Sequence, residues 1–154
     1  MGFVKTPQEL SLAFGENGVG SCNRFYRGEV YSILYETKPE IIERVLPPGL
    51  KPYEKPYVIF HFRDFKHINF AIPYQEPALI IPAVNKGRLG SYAIAMTLST
   101  DIAAFSGRER AGYPKKCGII KKNRKGNLFT GSCERHGIQY ATIRVDLNGI
   151  TNEP

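Results

Sequence analysis

Alternation of apolar and polar residues over short stretches is the dominant pattern in this sequence, and it is typical of β-strands with one buried face. The prolines near the most apolar stretch, Pro77 and Pro82, favour an edge or barrel strand over a central one there. The whole pattern predicts strands at residues 29–36, 57–65, 78–84, 92–98, 117–122, 128–135 and 138–147.

Two short helices are predicted between these strands. Residues 37–40, Thr-Lys-Pro-Glu, form a capping box that opens the first helix, and residues 47–49, Pro-Pro-Gly, end it. Thr100 or Asp101 can cap the second helix, which Gly112 ends. Nothing repeats and no interior linker divides the sequence, so we expect a single α+β domain spanning 1–154, built mainly on an antiparallel β-sheet or barrel with two short helices.

Composition agrees with one globular domain, since 154 residues with 42% hydrophobic and 23% charged content can bury a core. No apolar run approaches the roughly 20 residues needed to cross a bilayer, and residues 1–7 lack the apolar segment of a signal peptide. Residues 1–27 are rich in Gly, Asn and Ser and predict an arm or loop. The cysteines, an odd number without CxxC spacing, indicate a reducing cytoplasm; they are Cys22, Cys117 and Cys133.

Most of the net charge of +7 comes from one segment, because residues 115–125 hold six Lys or Arg and no acid. A nucleic-acid-binding domain more often spreads its cations over a face and interleaves aromatic residues, so we do not expect nucleic acid as a partner. The predicted hairpin tip within this segment is by default a solvated turn. Its alternative use is in a binding module for anions or nucleic acid, through Lys121, Lys122, Arg124 and Lys125.

The candidate chemistry lies at residues 107–118, where two adjacent lysines follow a proline and precede a short apolar step. Gly-Arg-Glu at 107–109, followed by Gly-Tyr-Pro-Lys-Lys at 112–116, resembles the signature of the acetoacetate decarboxylase family. The resemblance covers most of residues 25–147, and its other matching segments are 29–35, 45–50, 74–76 and 81–82.

The resemblance implies a fold and a mechanism. It implies that Lys115 forms a Schiff base with a β-keto acid such as acetoacetate, and that Lys116 is the neighbouring cation that activates it. Glu76, in the Tyr-Gln-Glu segment, is implied as the pocket carboxylate. The implied reaction releases CO₂ and needs neither a metal nor an organic cofactor, and the implied fold is the β-barrel of this family.

A lysine amine attacks a carbonyl only when neutral, and neutralising it at pH 7 costs about 4 to 5 kcal/mol. Consecutive residues of a strand point to opposite faces, so the charges of Lys115 and Lys116 are expected to lie ~8 to 10 Å apart, which contributes only about 2 kcal/mol. We therefore predict that burial of Lys115 supplies at least half of the cost.

The sequence departs from the family at two positions. Where the family has a second glutamate after an aromatic residue, this sequence has His61, which favours Schiff-base aldol or dehydration chemistry as the alternative to decarboxylation. Arg27 is the nearest match to the substrate-side arginine of the family and is one residue out of register. The sequence also ends before the later barrel strands of the family, so it is either a fragment or a short relative that completes its core by pairing with another copy, as a homo-oligomer.

Overall fold

The computed structural model describes residues 24–149, and the predictions for residues 1–23 lie outside them. Within this range the chain forms nine strands and two helices. In order they are β1 (Phe25–Glu36), α1 (Pro39–Val45), β2 (Lys51–Pro52), β3 (Tyr57–Ile68), β4 (Tyr74–Asn85), β5 (Arg88–Leu98), α2 (Asp101–Ala111), β6 (Lys115–Cys117), β7 (Ile119–Lys125), β8 (Leu128–Arg135) and β9 (Ile138–Asp146).

The strands form two sheets. The larger has the order β1-β3-β4-β5-β6 with β2 beside β4, and every pairing in it is antiparallel except that of β5 with β6. The smaller sheet is the antiparallel set β7-β8-β9. The prediction of an α+β fold, mainly antiparallel with two short helices, is confirmed.

The larger sheet buries both of its faces, against different partners. On one face Phe62 is fully buried with Phe129 of the smaller sheet, whose ring stacks on Tyr31 at 3.6 Å between centroids. The helix α1 packs on the same face through Ile42. On the opposite face α2 packs on residues of β4 and β5, and each large apolar side chain buried in these contacts contributes about 1.5 to 3 kcal/mol.

The strand alternation of β3 assigns its residues to these two faces. Phe62 and Asp64 point toward the smaller sheet, whereas Arg63 and Phe65 point toward α2. The pairing of β3 with β4 sets Arg63 opposite Glu76 and Asp64 opposite Gln75. Two polar pairs therefore lie back to back on opposite faces of the same sheet.

The start of the chain differs from the sequence prediction. Phe25 already belongs to β1 and pairs with Ile68, and its ring packs at a tilt against that of Phe65, with 4.4 Å between centroids. The predicted capping box is also wrong, because Lys38 is the N-cap residue of α1 and no side chain caps it. The backbone N–H of Thr37 instead donates to the carbonyl of Pro56, which continues the strand pairing.

The strand β4 is central, although its prolines favoured an edge or barrel strand. Pro77 precedes the first β4–β5 pair, at Ala78. Pro82 falls between the last pair with β3, at Ile80, and the first pair with β2, at Ala83. Each proline thus lies at a gap in one ladder, where a missing N–H is tolerated.

The second predicted helix is confirmed as α2, with Thr100 as N-cap and Gly112 as C-cap in the left-handed conformation. The strand predicted at 117–122 is divided, because the chain leaves the larger sheet after β6 and enters the smaller one at β7. Gly118 lies at the crossing, where an added Cβ would be 2.7 Å from the carbonyl oxygen of Glu134. No helix within residues 24–149 is long and apolar enough to cross a membrane.

Candidate active site

A cavity of about 670 Å³ lies between α2 and the larger sheet. Its helix wall comes from one side of α2, at the i, i+3 and i+4 spacing expected of a single helix face. Its sheet wall includes one charged residue from each of three strands: Arg63 of β3, Glu76 of β4 and Lys115 of β6. The helix wall consists of Ala103, Ser106, Gly107, Arg110 and Ala111.

Lys115 reaches this cavity by crossing the helix at Gly107. The lysine is 8% exposed and opens β6 beside Met96 of β5. A Cβ added to Gly107 would lie 2.4 Å from Cδ of Lys115, 2.5 Å from Cε and 2.7 Å from Nζ. Since apolar carbons normally approach no closer than about 3.5 Å, only glycine leaves room for this side chain.

Glu76 joins the two cations of the sheet wall. It is 3% exposed, and its Oε2 lies 2.7 Å from Nζ of Lys115. Its Oε1 accepts a hydrogen bond of 2.9 Å from a terminal nitrogen of the Arg63 guanidinium. Oε2 is at ion-pair distance from Lys115 but accepts no well-directed hydrogen bond from any described residue. This oxygen can therefore exchange a proton with the amine or with a bound molecule.

Two aromatic rings flank the amine. The ring centroids of Tyr113 and Tyr74 lie 5.7 and 6.0 Å from Nζ of Lys115. Burial, and then the negative charge of Glu76, raise the pKa of Tyr74 well above its ordinary value. Tyr74 is thus a neutral phenol at physiological pH, and the rings form an apolar wall.

Lys116 points away from this cavity. It is exposed and lines a separate depression of about 330 Å³ together with Arg135 and Tyr140. Adjacent residues in β6 alternate between the faces of the sheet, and this alternation separates the two lysines.

His61 lies on the same face of β3 as Arg63 but is not among the cavity-lining residues. Its Nδ1 is 2.7 Å from the hydroxyl of Ser32 on the neighbouring strand. Burial, and then the positive charge of Arg63, lower the pKa of His61, so that the ring is neutral at pH 7. Arg27 is exposed on β1 and does not line the cavity either; the pairing register shifts on both sides of it.

Arg63 is the site residue that sequence reasoning missed. Its position two residues after His61 in an alternating strand puts both on one face, which is readable from the sequence. Its pairing with Glu76 is not, because that depends on the register between β3 and β4. Gly107 belonged to the recognised motif, but its steric role follows only from the packing of α2 on β6.

A second polar cluster lies behind the site, between the two sheets. Asp64 is 2% exposed, accepts a hydrogen bond of 3.0 Å from Gln75, and pairs with Lys122 of β7. Burial opposes its ionised form, but the hydrogen bonds from Lys122 and Gln75 hold the pKa of Asp64 below its ordinary value. Lys122, a member of the predicted basic hairpin tip, therefore pairs with a buried carboxylate, although its own side chain is 39% exposed.

Together, the fold and the Lys115–Glu76–Arg63 group, in which Lys115 and Glu76 are buried, define a candidate site built around a lysine amine. The chain belongs to the acetoacetate decarboxylase family, whose family model matches residues 7–153. It is 34% identical over 119 residues to an acetoacetate decarboxylase of Chromobacterium violaceum, covering 77% of this chain and 48% of that protein. It is 29% identical over 124 residues to one of Clostridium botulinum, covering 80% and 48%.

Solved structures agree with this assignment. The crystal structure of acetoacetate decarboxylase from Legionella pneumophila superposes with a TM-score of 0.73 at 28% identity, covering 79% of this chain and 48% of that one. The chain thus spans about half the length of the curated relatives it matches.

Proposed function

We propose that this chain carries the Schiff-base site of a decarboxylase acting on a β-keto acid, with Lys115 as the nucleophile and Glu76 as the acid and base. The observation that carries this proposal is the buried Lys115 amine in an aromatic-walled cavity, 2.7 Å from a carboxylate oxygen. Membership of the acetoacetate decarboxylase family supports it.

The proposed reaction begins with transfer of a proton from Nζ of Lys115 to Oε2 of Glu76, which leaves a neutral amine. The amine attacks the keto carbon, Glu76 returns that proton to the former ketone oxygen, the oxygen departs as water, and a protonated imine remains. The bond to the substrate carboxylate then breaks, its electron pair moves toward the imine nitrogen, and CO₂ leaves. Glu76 takes up a proton from solvent and delivers it to the resulting enamine carbon, and water then hydrolyses the imine, which releases the ketone product and frees Lys115.

The apolar surroundings assist the central step of this mechanism. Tyr74 and Tyr113 limit the access of water to Nζ, and the departing carboxylate loses its charge as it becomes CO₂. The mechanism requires no metal and no organic cofactor. Lys116 contributes only from the opposite face, as a distant cation that is screened by solvent.

The rival chemistry uses the same imine for aldol addition or dehydration. The observation that favours it is His61 at the position where the family has its second glutamate. Glu76 is then the one carboxylate among the described residues that line the cavity.

The test is release of labelled CO₂ from acetoacetate carrying the label in its carboxylate. We expect release by the native chain, loss of release in Lys115→Arg, and a change of no more than a few-fold in the matched control Lys116→Arg. Imine formation without CO₂ release would contradict decarboxylation and would leave the rival chemistry or a ligand-binding relative that has lost catalysis. Equal loss in both lysine variants would contradict the distinct roles assigned to them.

The roles of Arg27 and His61 in substrate binding stay predictions, as does the homo-oligomer. Since neither residue lines the cavity, we expect any part they take to be indirect.

A further inference from the structure

The guanidinium of Arg63 has binding capacity that the proposed mechanism does not use. Its side chain is 22% exposed and lines the cavity. A guanidinium carries five N–H donors in a planar fork, and within residues 24–149 that of Arg63 donates one hydrogen bond, to Oε1 of Glu76. The remaining donors are suited to bidentate binding of a carboxylate.

The charge of the cavity points to an anionic ligand. Arg63 and Lys115 both contact Glu76, which is the one carboxylate among the described lining residues, so two cations share one anion. Formation of a protonated imine on Lys115 does not change this balance.

The carboxylate that leaves as CO₂ is a poor partner for Arg63. That group loses its charge in the transition state, so pairing it with a guanidinium stabilises the ground state more than the transition state and slows the reaction. Arg63 and Lys115 also contact different oxygens of Glu76, at 2.9 and 2.7 Å. A substrate bound to both therefore has a separate anionic group a short distance from its keto carbon.

We propose that Arg63 binds a substrate carboxylate that the reaction does not remove, so that the substrate class is a keto acid with a second, retained carboxylate, such as a β-keto dicarboxylic acid. This inference rests on the proposed function, because it places the keto carbon on Lys115. It identifies Arg63 as a residue that determines specificity.

The test compares matched ketones that do not decarboxylate. Levulinate carries a retained carboxylate, and methyl butyl ketone has a similar length and none. The half-saturating concentration for borohydride-trapped adduct on Lys115 is measured for each, with acetonedicarboxylate and acetoacetate as reactive probes. A hydrogen bond to a charged group in a partly buried site strengthens binding substantially. We therefore expect the half-saturating concentration of levulinate to be at least about tenfold lower than that of methyl butyl ketone.

The variant Arg63→Gln is expected to bring the ratio between the two ketones close to one. Arg63→Lys, which keeps the charge but loses the fork, is expected to give an intermediate ratio. Equal half-saturation of both ketones in the native chain overturns the inference, and so does an Arg63→Gln variant that weakens both ketones alike. The native comparison stands even when a variant folds poorly. Trapping of acetoacetate without any levulinate preference overturns this inference alone, whereas no trapping of any ketone on Lys115 overturns the proposed function as well.

Discussion

The substitution Gly107→Ala separates the geometry of the site from the stability of the fold. The new methyl carbon would meet Lys115 at 2.4 Å from Cδ and 2.7 Å from Nζ. Carbon atoms in contact normally lie about 3.5 to 4.0 Å apart, so the lysine side chain must move by roughly 1 to 1.5 Å. A displacement of roughly 1 Å in a reacting group can cost about 10²-fold in rate.

The same substitution is expected to slow the reaction without lowering the stability of the fold. Alanine in a helix interior is about 0.5 to 1 kcal/mol more favourable than glycine, and the obstructing atoms belong to the flexible end of a side chain. We therefore expect an unchanged or slightly higher melting temperature, with imine trapping by acetoacetate and borohydride roughly 10²-fold slower.

Gly90→Ala is the matched control, because an added Cβ there has its nearest neighbour at 4.0 Å, the carbonyl oxygen of Ala83. It should trap acetoacetate at the native rate. Native-rate trapping in Gly107→Ala would refute the placement of the Lys115 side chain across the helix. A cooperative loss of the fold in that variant would refute the reasoning that the side chain can move aside.

Three further substitutions test the surroundings of the site. Asp64→Asn should lower the free energy of unfolding, measured in urea at neutral pH, by about 1 to 3 kcal/mol. The pKa of Asp64 is lowered in the folded state, so the stabilisation by its carboxylate is full above the pKa of the unfolded state and is lost as the pH falls through the pKa of the folded state. The stability of the variant should therefore depend less on acid pH than that of the native chain. As the pH falls from about 7.5 to about 5.5, the native chain should lose more stability than the His61→Gln variant. The reason is that the pKa of His61 is lowered in the folded state, so the unfolded state binds a proton first as the pH falls through ~6.5. The same dependence of melting temperature on pH in both proteins would contradict this. Gly118→Ala should destabilise the fold strongly, because its neighbours at 2.7 Å include the backbone oxygen of Glu134; a native melting temperature would show that the sheet crossing relaxes freely.

The elements of this fold are readable from the sequence where local rules govern them. Alternation identified the strands, and Thr100 with Gly112 marked the ends of α2. Local rules failed where tertiary contacts decided the outcome. Thr37 could have capped α1, but its backbone pairs with Pro56 instead. Pro82 suggested an edge strand, but the gap between two ladders accommodates it in the centre of the sheet.

The candidate site divides in the same way. The family resemblance proposed Lys115 and Lys116 through the signature and Glu76 through the Tyr-Gln-Glu segment, and strand alternation predicted that the two lysines point to opposite faces. The part of Arg63 in the site could not be predicted from the sequence, because its contact with Glu76 depends on the register of two strands separated by a loop. Sequence spacing likewise does not reveal that His61 bonds to Ser32 instead of lining the cavity.

The central claim is that Lys115 forms an imine with a keto acid. Its most direct test is reduction with borohydride in the presence of acetoacetate, followed by peptide mass mapping of the modified residue. We predict a reduced adduct on Lys115, none on Lys116, and no adduct in Lys115→Ala. An adduct confined to Lys116, or the absence of any adduct with acetoacetate, levulinate or acetonedicarboxylate, would contradict the account.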